Sequence, residues 1–324
     1  MKAVIRTQYG SPDVITVQEV AKPIYGDNEV LVKVYAATVN RTDCGILTGK
    51  PYVIRLFTGI SRPTHQSTGT DFAGQVEAVG RNVTAFQVGD RVWGFNDSGL
   101  QSHAQYLTVS ENEAMAHVPE GITYQQAAAS IEGAHYAYNF IKRVPLGGNR
   151  KVMLNGATGA IGSAALQMLK YYGAEVTAVG NTQNLDLLKS LGADRVIDYL
   201  QEDFTQDHEQ YDFVFDAVGK SSFGKCERLL KSGGVYISSE LGHNVENPFL
   251  AMWTPVRGGK QVRFPLPTDR KGSIVFIKKL LEEGKFRPVI DRWYPLEDIA
   301  EAYRYVLTGQ KTGNVIVRCN MDES

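Results

Sequence analysis

Two patterns of apolar and polar positions divide the chain near residue 120. In residues 1–118, valines recur at every second position, as at Val30, Val32 and Val34, and turn-forming residues separate short apolar runs. Short, regularly spaced strands of this kind are typical of a compact β domain. After about residue 120, short apolar runs alternate with segments of helix length. This second pattern is typical of a parallel sheet that helices cover on both faces.

The second pattern predicts individual strands and helices in alternation. The predicted strands are 151–155, 175–179, 195–197, 211–216 and 234–238, and the predicted helices are 161–172, 184–191 and 224–230. After about residue 265, the pattern predicts two amphipathic helices and a last strand, at 273–283, 296–308 and 314–318. We expect this tail to return to the first domain, because a lone strand has to pair with another strand.

A glycine-rich turn, NGATGAIG at 155–162, follows the strand predicted at 151–155 and opens the next helix. A dinucleotide pyrophosphate needs close approach of the backbone and free N–H groups at a helix N-terminus, which Gly159 and Gly162 permit. Ala157 stands where the usual pattern has its first glycine, so the motif is a variant. The turn predicts dinucleotide binding; the alternative is a glycine-rich turn that only permits helix packing.

The end of the next strand predicts which dinucleotide binds. NAD-binding proteins usually carry an acidic residue there, which accepts a hydrogen bond from the ribose 2′-hydroxyl. The sequence after Val179 reads GNTQN and contains no acid. Asn181 and Thr182 can donate hydrogen bonds to a 2′-phosphate. We therefore predict NADPH over NADH.

Composition and charge exclude several classes of protein. The length of 324 residues predicts two domains, and 34 basic against 35 acidic residues argue against a nucleic-acid-binding surface. No apolar run is long enough to cross a membrane. The start of the chain reads as a strand rather than a signal peptide, so we expect a cytoplasmic location. Three distant cysteines, Cys44, Cys226 and Cys319, predict neither a disulfide framework nor a zinc knuckle.

Several stretches, spread over nearly the whole chain, carry a resemblance to a known family. They are TVNRTD (38–43), GTDFAGQV (69–76), VGDRV (88–92), LGADRVIDY (191–199), FDAVG (215–219), PLEDIAEA (295–302) and TGNV (312–315). With them the chain resembles the medium-chain dehydrogenase/reductase superfamily, and within it the zinc-free quinone oxidoreductase branch. The resemblance implies an α/β fold: a GroES-like β domain (1–122 and 266–324), a Rossmann-type doubly wound parallel sheet (123–265), and a nicotinamide cleft where they meet.

The resemblance also implies which residues contact the coenzyme and how the protein assembles. The implied coenzyme contacts are Thr158, Gly159, Ala160, Ile161, Gly162, Asn181, Thr182, Tyr199, Val218, Gly219, Leu241 and Gly242. Members of the family are commonly dimers, so a homodimer is expected.

Zinc-dependent members of the superfamily hold a catalytic metal, and the matching positions here are Asn40, Thr70 and Glu132. Zinc prefers thiolate, imidazole or carboxylate ligands, so an amide, a hydroxyl and one carboxylate make a poor site. Residues 93–112 contain no cysteine for a structural zinc. We predict no zinc, and we interpret His103 as a surface or core residue.

Without a metal to stabilise an alkoxide, reduction of an electron-poor double bond is the easier reaction. The sequence therefore predicts an apolar acceptor, either a quinone or an α,β-unsaturated carbonyl. Asn40 and Thr42 are candidates for contact with substrate or ribose; alternatively, they cap a helix. Glu132 interrupts a helix predicted at 127–141, and it can be either a buried proton donor or a salt-bridge partner. For Asp43 and Asp71 we predict structural ion pairs.

Two other functions and one segment stay open. The chain can reduce another class of carbonyl, or it can be an NADPH-binding sensor with little turnover. The segment 50–66 mixes aromatic and basic residues and can be a substrate lid, a surface loop or a membrane-contacting patch.

Overall fold

A computed structural model describes residues 1–321 and shows a mixed α/β fold. Its strands, in chain order, are β1 (Lys2–Ile5), β2 (Thr16–Glu19), β3 (Glu29–Val39), β4 (Asp71–Val79), β5 (Arg91–Phe95), β6 (Tyr106–Ser110), β7 (Ala114–His117), β8 (Lys151–Asn155), β9 (Glu175–Gly180), β10 (Arg195–Asp198), β11 (Tyr211–Asp216), β12 (Leu230–Ser238), β13 (Gln261–Arg263), β14 (Ile290–Pro295) and β15 (Asn314–Arg318). The strands predicted at 151–155, 211–216 and 314–318 are confirmed with the same bounds.

The α-helices are mostly short. In chain order they are α1 (Arg41–Thr48), α2 (Arg55–Thr58), α3 (Tyr124–Ala129), α4 (Glu132–Ile141), α5 (Ala160–Tyr171), α6 (Leu185–Ser190), α7 (Phe223–Cys226), α8 (Glu246–Arg257), α9 (Arg270–Glu282) and α10 (Ile299–Leu307). The helix predicted at 224–230 ends earlier than expected, because the chain enters β12 at Leu230. The sequence pattern predicts neither α8 nor β13, which the structure contains.

The chain forms two compact units. Unit 1 comprises Met1–Glu132, Arg270–Glu282 and the chain from Arg287, and unit 2 comprises Gly133–Asp269 and Glu283–Phe286. The boundary therefore falls at the start of α4, between its first and second residues.

Unit 1 is built on a mainly antiparallel sheet with the order β14-β15-β3-β4-β5-β7, while β6 pairs with β3 and β1 pairs with β2. The long strand β3 is almost wholly buried, and its valines pack in one apolar core. The tail strand β15 pairs with β3, with Val315 opposite Val39. This confirms that the tail returns to the first sheet.

Unit 2 is built on a parallel sheet with the order β10-β9-β8-β11-β12-β13. Its central strands β8 and β11 are nearly continuous runs of buried residues, as expected for strands that are covered on both faces. The order of the strands reverses between β8 and β11, and open α/β sheets bind ligands at the carboxyl ends of the strands at such a point. That edge carries Asn155 and Asp216.

The helix predicted at 127–141 is wrong as one continuous element: it consists of α3 and α4, which Ser130 and Ile131 separate. The hydroxyl of Ser130 donates to the Gln126 carbonyl over 2.6 Å, and its N–H bonds to Ala127, which tightens and ends the last turn of α3. Glu132 therefore begins a helix and does not interrupt one.

The segment 50–66 contains α2, and hydrogen bonds to Tyr9 attach its inner side to the rest of unit 1. Tyr9 donates to the Gly59 carbonyl over 2.6 Å and shares a 2.8 Å hydrogen bond with the hydroxyl of Thr58. On the outer side, Leu56 and Phe57 are exposed. The fold thus holds this segment against unit 1 and leaves an apolar surface outward.

Candidate functional site

The turn between β8 and α5 leaves the N-terminus of α5 open. Gly156 has a left-handed backbone (φ +75°), and the N-cap residue Gly159 has no side chain to cap the first N–H groups of the helix. A Cβ on Gly159 would meet only the Gly156 carbonyl oxygen, at 3.7 Å. The first N–H groups of a helix have no intrahelical partner and attract anions. This open end fits a pyrophosphate.

Gly162 has a different role in the same turn. A Cβ at this position would lie 2.1 Å from the Gly156 carbonyl oxygen and 2.7 Å from the Ala157 Cα, both of them backbone atoms. The helix can therefore pack on the turn only because residue 162 has no side chain. The two predicted glycines thus serve different purposes: Gly162 permits the packing, and Gly159 keeps the surface accessible.

Residues that follow β11 and β12 lie next to this turn. A Cβ on Gly156 would be 2.7 Å from Val218 Cβ, and a Cβ on Gly219 would be 2.1 Å from Glu240 Cγ. Glu240 directly precedes Leu241 and Gly242. The structure therefore brings the turns predicted from three separate strands to one edge of the sheet.

Asp216 holds this edge together, and no role had been predicted for it. Its Oδ1 accepts hydrogen bonds from Asn155 Nδ2 at 3.0 Å and from the Gly219 N–H at 2.9 Å, while Oδ2 accepts one from the Ser221 N–H at 3.0 Å. The buried carboxylate thus links the ends of β8 and β11. An acid at the end of an apolar strand, as in YDFVFD, was the signal that could have identified it.

The adenosine end of the predicted site contains an unexpected carboxylate. No acid follows β9 in the sequence, yet β10 places Asp198 there, opposite Gly180. The Thr182 hydroxyl donates to Asp198 Oδ2 over 2.5 Å. Asn181 accepts a hydrogen bond from Asn184 over 2.7 Å, and Tyr199 is half-exposed. The sequence after β9 contains no acid, as predicted, but the neighbouring strand β10 brings the Asp198 carboxylate to the same loop.

In unit 1, the structure brings the three predicted catalytic residues, Asn40, Thr42 and Glu132, together. Glu132 Oε2 accepts hydrogen bonds from Thr70 Oγ1 at 2.7 Å and from Asn40 Nδ2 at 3.3 Å. Thr42 donates a further hydrogen bond to the Glu132 carboxyl group. Asn40, Thr70 and Glu132 are buried, although up to 92 residues separate them along the chain. We call Asn40, Thr42, Thr70 and Glu132 the Glu132 group.

Asn40 uses its amide hydrogens inside the protein. One bond goes to Glu132, and another goes to the Thr38 hydroxyl at 2.5 Å. The Thr38 hydroxyl in turn donates to Asp71, and the Asn40 N–H donates to Asp43 over 2.9 Å at the start of α1. Asn40 therefore positions Glu132, and it has to give up one of these bonds to donate to a substrate carbonyl.

The predicted ion pairs of Asp43 and Asp71 are replaced by hydrogen bonds to neutral groups. Asp71 accepts the Thr38 N–H at 2.7 Å as well as the Thr38 hydroxyl, and Asp43 accepts the Asn40 N–H. Burial raises the pKa of both carboxyls well above the usual range, and the negative charge that Glu132 carries when it is ionised adds to this effect. Burial therefore favours the protonated form of both residues.

Burial also raises the pKa of Glu132, because an ionised carboxylate loses its hydration there. The hydrogen bonds from Thr42, Thr70 and Asn40 and the charge of Lys311 act in the opposite direction. Burial lowers the pKa of Lys311 to about 8, and its ammonium donates to the Gly313 carbonyl over 2.6 Å. Burial outweighs these opposing contributions, so the pKa of Glu132 is raised.

His103 is a satisfied core residue, as interpreted from the sequence. Its Nε2 lies 2.9 Å from the Thr38 carbonyl, which can only accept, so the hydrogen is on Nε2. Nδ1 then accepts from Thr68 at 2.8 Å and from Tyr303 at 3.3 Å. Burial lowers the pKa of His103 to about 4, so the ring is neutral.

The side chains of the Glu132 group do not fit a metal ion. Asn40 and Thr70 direct hydrogens at Glu132, whereas a metal needs lone pairs directed at one point. Within residues 1–321, no group of three or more His, Cys, Asp and Glu side chains is placed to hold a metal.

Helix α4 packs closely on helix α5 in unit 2. A Cβ on Gly133 would lie 2.7 Å from the carbonyl carbon of Ala160. The close packing of α4 on α5 therefore depends on the absence of a side chain at residue 133.

Comparisons with known families agree with both units. The alcohol dehydrogenase GroES-like domain matches residues 26–137, and the zinc-binding dehydrogenase family matches residues 191–317. These matches confirm the GroES-like and Rossmann-type expectations.

Two relatives and two solved structures are similar over nearly the whole chain. The 2-methylene-furan-3-one reductase of Solanum lycopersicum is 31% identical over 98% of this chain and 79% of its own length. The chloroplastic NADPH-dependent alkenal/one oxidoreductase of Arabidopsis thaliana is 30% identical with the same coverage. The quinone oxidoreductase from Coxiella burnetii superposes with a TM-score of 0.87, at 25% identity, over 99% of both chains. The Escherichia coli quinone oxidoreductase complexed with NADPH has a TM-score of 0.81 at 22% identity, over 98% of this chain and all of its own. The chain therefore belongs to the medium-chain dehydrogenase/reductase superfamily of oxidoreductases, in its quinone oxidoreductase branch.

Proposed function

We propose that this protein is a zinc-independent reductase that transfers hydride from NADPH to a quinone or an α,β-unsaturated carbonyl. The observation that carries the proposal is the Glu132 group, in which a buried carboxyl takes the place of a metal ligand and is surrounded by hydrogen-bond donors. Two relatives named for alkenal/one and quinone reduction support the choice of acceptor.

Unit 2 supplies the proposed coenzyme site. The open N-terminus of α5 at Gly159 would bind the pyrophosphate through backbone N–H groups and the helix dipole. Val218 and Gly219 line the same edge of the sheet, and Asp216 fixes the turn that carries them. When bound, the coenzyme supplies the hydride.

Unit 1 supplies the proposed proton. Hydride addition to an enone or quinone places negative charge on the acceptor oxygen, and a donor near that oxygen stabilises the transition state. Burial raises the pKa of Glu132, which favours the protonated form that an acid needs. Thr70 and Asn40 hold Oε2 in place and fix the direction of the carboxyl group. We propose Glu132 as the general acid, with Asn40 and Thr70 as positioning residues.

A screen of acceptors tests this proposal. Loss of NADPH absorbance is followed with quinones, enones and saturated aldehydes, together with metal analysis of the purified protein. We expect turnover with quinones or enones and no stoichiometric zinc. Turnover with saturated aldehydes alone would indicate a reductase of another carbonyl class, and binding of NADPH without turnover would indicate a sensor. Stoichiometric zinc would contradict a metal-free mechanism.

We also propose a homodimer. Helix α8 exposes Phe249, Met252, Trp253 and Val256, which share one helical face, and exposed apolar patches commonly mark protein interfaces. Light scattering should give twice the chain mass, and a monomer at micromolar concentration would contradict the proposal.

No helix within residues 1–321 is long and apolar enough to cross a membrane. Relatives include chloroplastic and mitochondrial proteins, and the cytoplasmic location stays a prediction.

A further inference from the structure

A fixed carboxylate lies at the adenosine end of the phosphate turn. Asp198 ends β10 and pairs with Gly180, the last residue of β9. Its Oδ2 accepts the Thr182 hydroxyl at 2.5 Å, and its Oδ1 accepts the Leu200 N–H at 3.0 Å. These two bonds hold the carboxylate beside the loop that follows β9.

This position is where a dinucleotide-binding sheet distinguishes the two coenzymes. In such sheets, the adenosine ribose lies at the end of the second strand, where an acid accepts the 2′-hydroxyl of NADH. β9 is the second strand of unit 2 in chain order. Its end contacts the phosphate turn, since a Cβ on Gly180 would lie 3.1 Å from Thr158 Cγ2. Asp198 therefore takes the place of the acid, although it comes from the next strand.

The same contact engages a donor that a 2′-phosphate would use. Thr182 has one hydroxyl hydrogen, and Asp198 accepts it. The phosphate of NADPH would have to break this bond to gain a donor. The 2′-phosphate also carries roughly two negative charges, and it would lie near the carboxylate of Asp198.

The basic residues of the neighbouring elements pair with other acids. Lys189 on α6 lies 3.3 Å from Asp186, and Arg195 on β10 lies 2.8 Å from Asp207. Neither pairing compensates the charge of Asp198. The local electrostatics therefore oppose a 2′-phosphate more than a 2′-hydroxyl.

We propose that Asp198 is the specificity-determining residue for the coenzyme: it weakens binding of the NADPH 2′-phosphate and accepts the NADH 2′-hydroxyl, so that the protein uses both coenzymes. The proposal rests on the coenzyme site proposed above and refines it. Asn181 and Thr182 then contribute less to NADPH preference than their residue types suggest.

The test compares the affinities of NADPH and NADH for the wild type, Asp198→Asn and Asp186→Asn, by coenzyme fluorescence at fixed ionic strength. Asparagine keeps an acceptor oxygen and removes the charge. We expect Asp198→Asn to shift the affinity ratio about tenfold towards NADPH, the size of one removed charge repulsion. Asp186→Asn removes the same charge from a side chain that is 98% exposed, and we expect a shift of less than about twofold.

Adenosine 2′,5′-diphosphate and AMP, used as competitors, isolate the contribution of the 2′ group. The ratio of their affinities should shift with Asp198→Asn by the same factor as the coenzyme ratio. An equal shift in both variants, or no shift, would overturn the proposal. Failure of the wild type to bind either coenzyme would instead contradict the coenzyme site itself. Asp198→Ser makes the same charge change should the asparagine variant fold poorly.

Discussion

The two candidate sites are built in opposite ways. The coenzyme turn of unit 2 consists of backbone, and its chemistry comes from one stretch of eight residues, 155–162. The Glu132 group of unit 1 consists of side chains from the ends of separate elements. Asn40 and Glu132 are 92 residues apart in the chain. A backbone site depends on the absence of side chains, whereas a side-chain site depends on the presence of particular atoms. The two sites should therefore fail differently when residues are changed.

The largest effect is expected at Gly162, where the backbone site is most crowded. Gly162→Ala places a Cβ 2.1 Å from a carbonyl oxygen, and we expect a loss of about 1–3 kcal/mol in the free energy of unfolding together with loss of coenzyme binding. Gly159→Ala is the matched control, because its Cβ meets only one atom at 3.7 Å. Urea unfolding should leave Gly159→Ala unchanged, while its coenzyme affinity falls.

Equal stabilities of these two variants would break the distinction between a packing glycine and an access glycine. Full coenzyme affinity in Gly159→Ala would show that the ligand does not approach that backbone.

The next largest effect is expected at Glu132 and concerns turnover rather than stability. Glu132→Gln keeps an oxygen that accepts from Thr70 and Asn40, but it has no acidic proton. We expect kcat to fall about tenfold or more with coenzyme affinity unchanged. The exposed Glu120→Gln is the control and should retain full turnover.

The dependence of kcat on pH tests the same role of Glu132. Because the protonated carboxyl is the active form, wild-type kcat should fall as pH rises through the raised pKa of Glu132. Glu132→Gln should lose this limb. An unchanged rate and profile in the variant would leave Glu132 only a structural role.

The smallest effect is expected at Thr70, which positions Glu132. Thr70→Val removes a donor that stabilises the ionised carboxylate, so the pKa of Glu132 should rise and the falling limb should move to higher pH by about one unit or less. Thr70→Ser keeps the hydroxyl and should restore the wild-type profile. A shift to lower pH in Thr70→Val would contradict the proposed direction of this hydrogen bond.

The contrast between the sites also explains how much of the molecule the sequence could predict. The strands 151–155 and 211–216 and the phosphate turn follow from local patterns, because a buried parallel strand and an open helix N-terminus each need a contiguous run of suitable residues. The pairing of Asn40, Thr70 and Glu132 came from the family resemblance, since no periodicity relates these positions.

Other features depend on which strands lie side by side. Asp198 meets Thr182 because β10 pairs with β9 in one particular register, and that register is not encoded in either segment alone. The break between α3 and α4 falls at Ser130, whose hydroxyl bonds to the Gln126 carbonyl, within an otherwise helical pattern. A pattern based on periodicity averages over such single contacts and misses them.

The imidazole of His103 has a consequence for how protons reach the interior of unit 1. Its hydrogen is committed to the Thr38 carbonyl, and its lone pair is occupied by two hydroxyl groups, so rotation of the ring would break all three contacts. Its low pKa means that it carries no charge over the physiological range. The ring therefore packs rigidly against β3 and does not transfer protons. The carboxyl groups and Lys311 are left as the groups whose charge changes with pH.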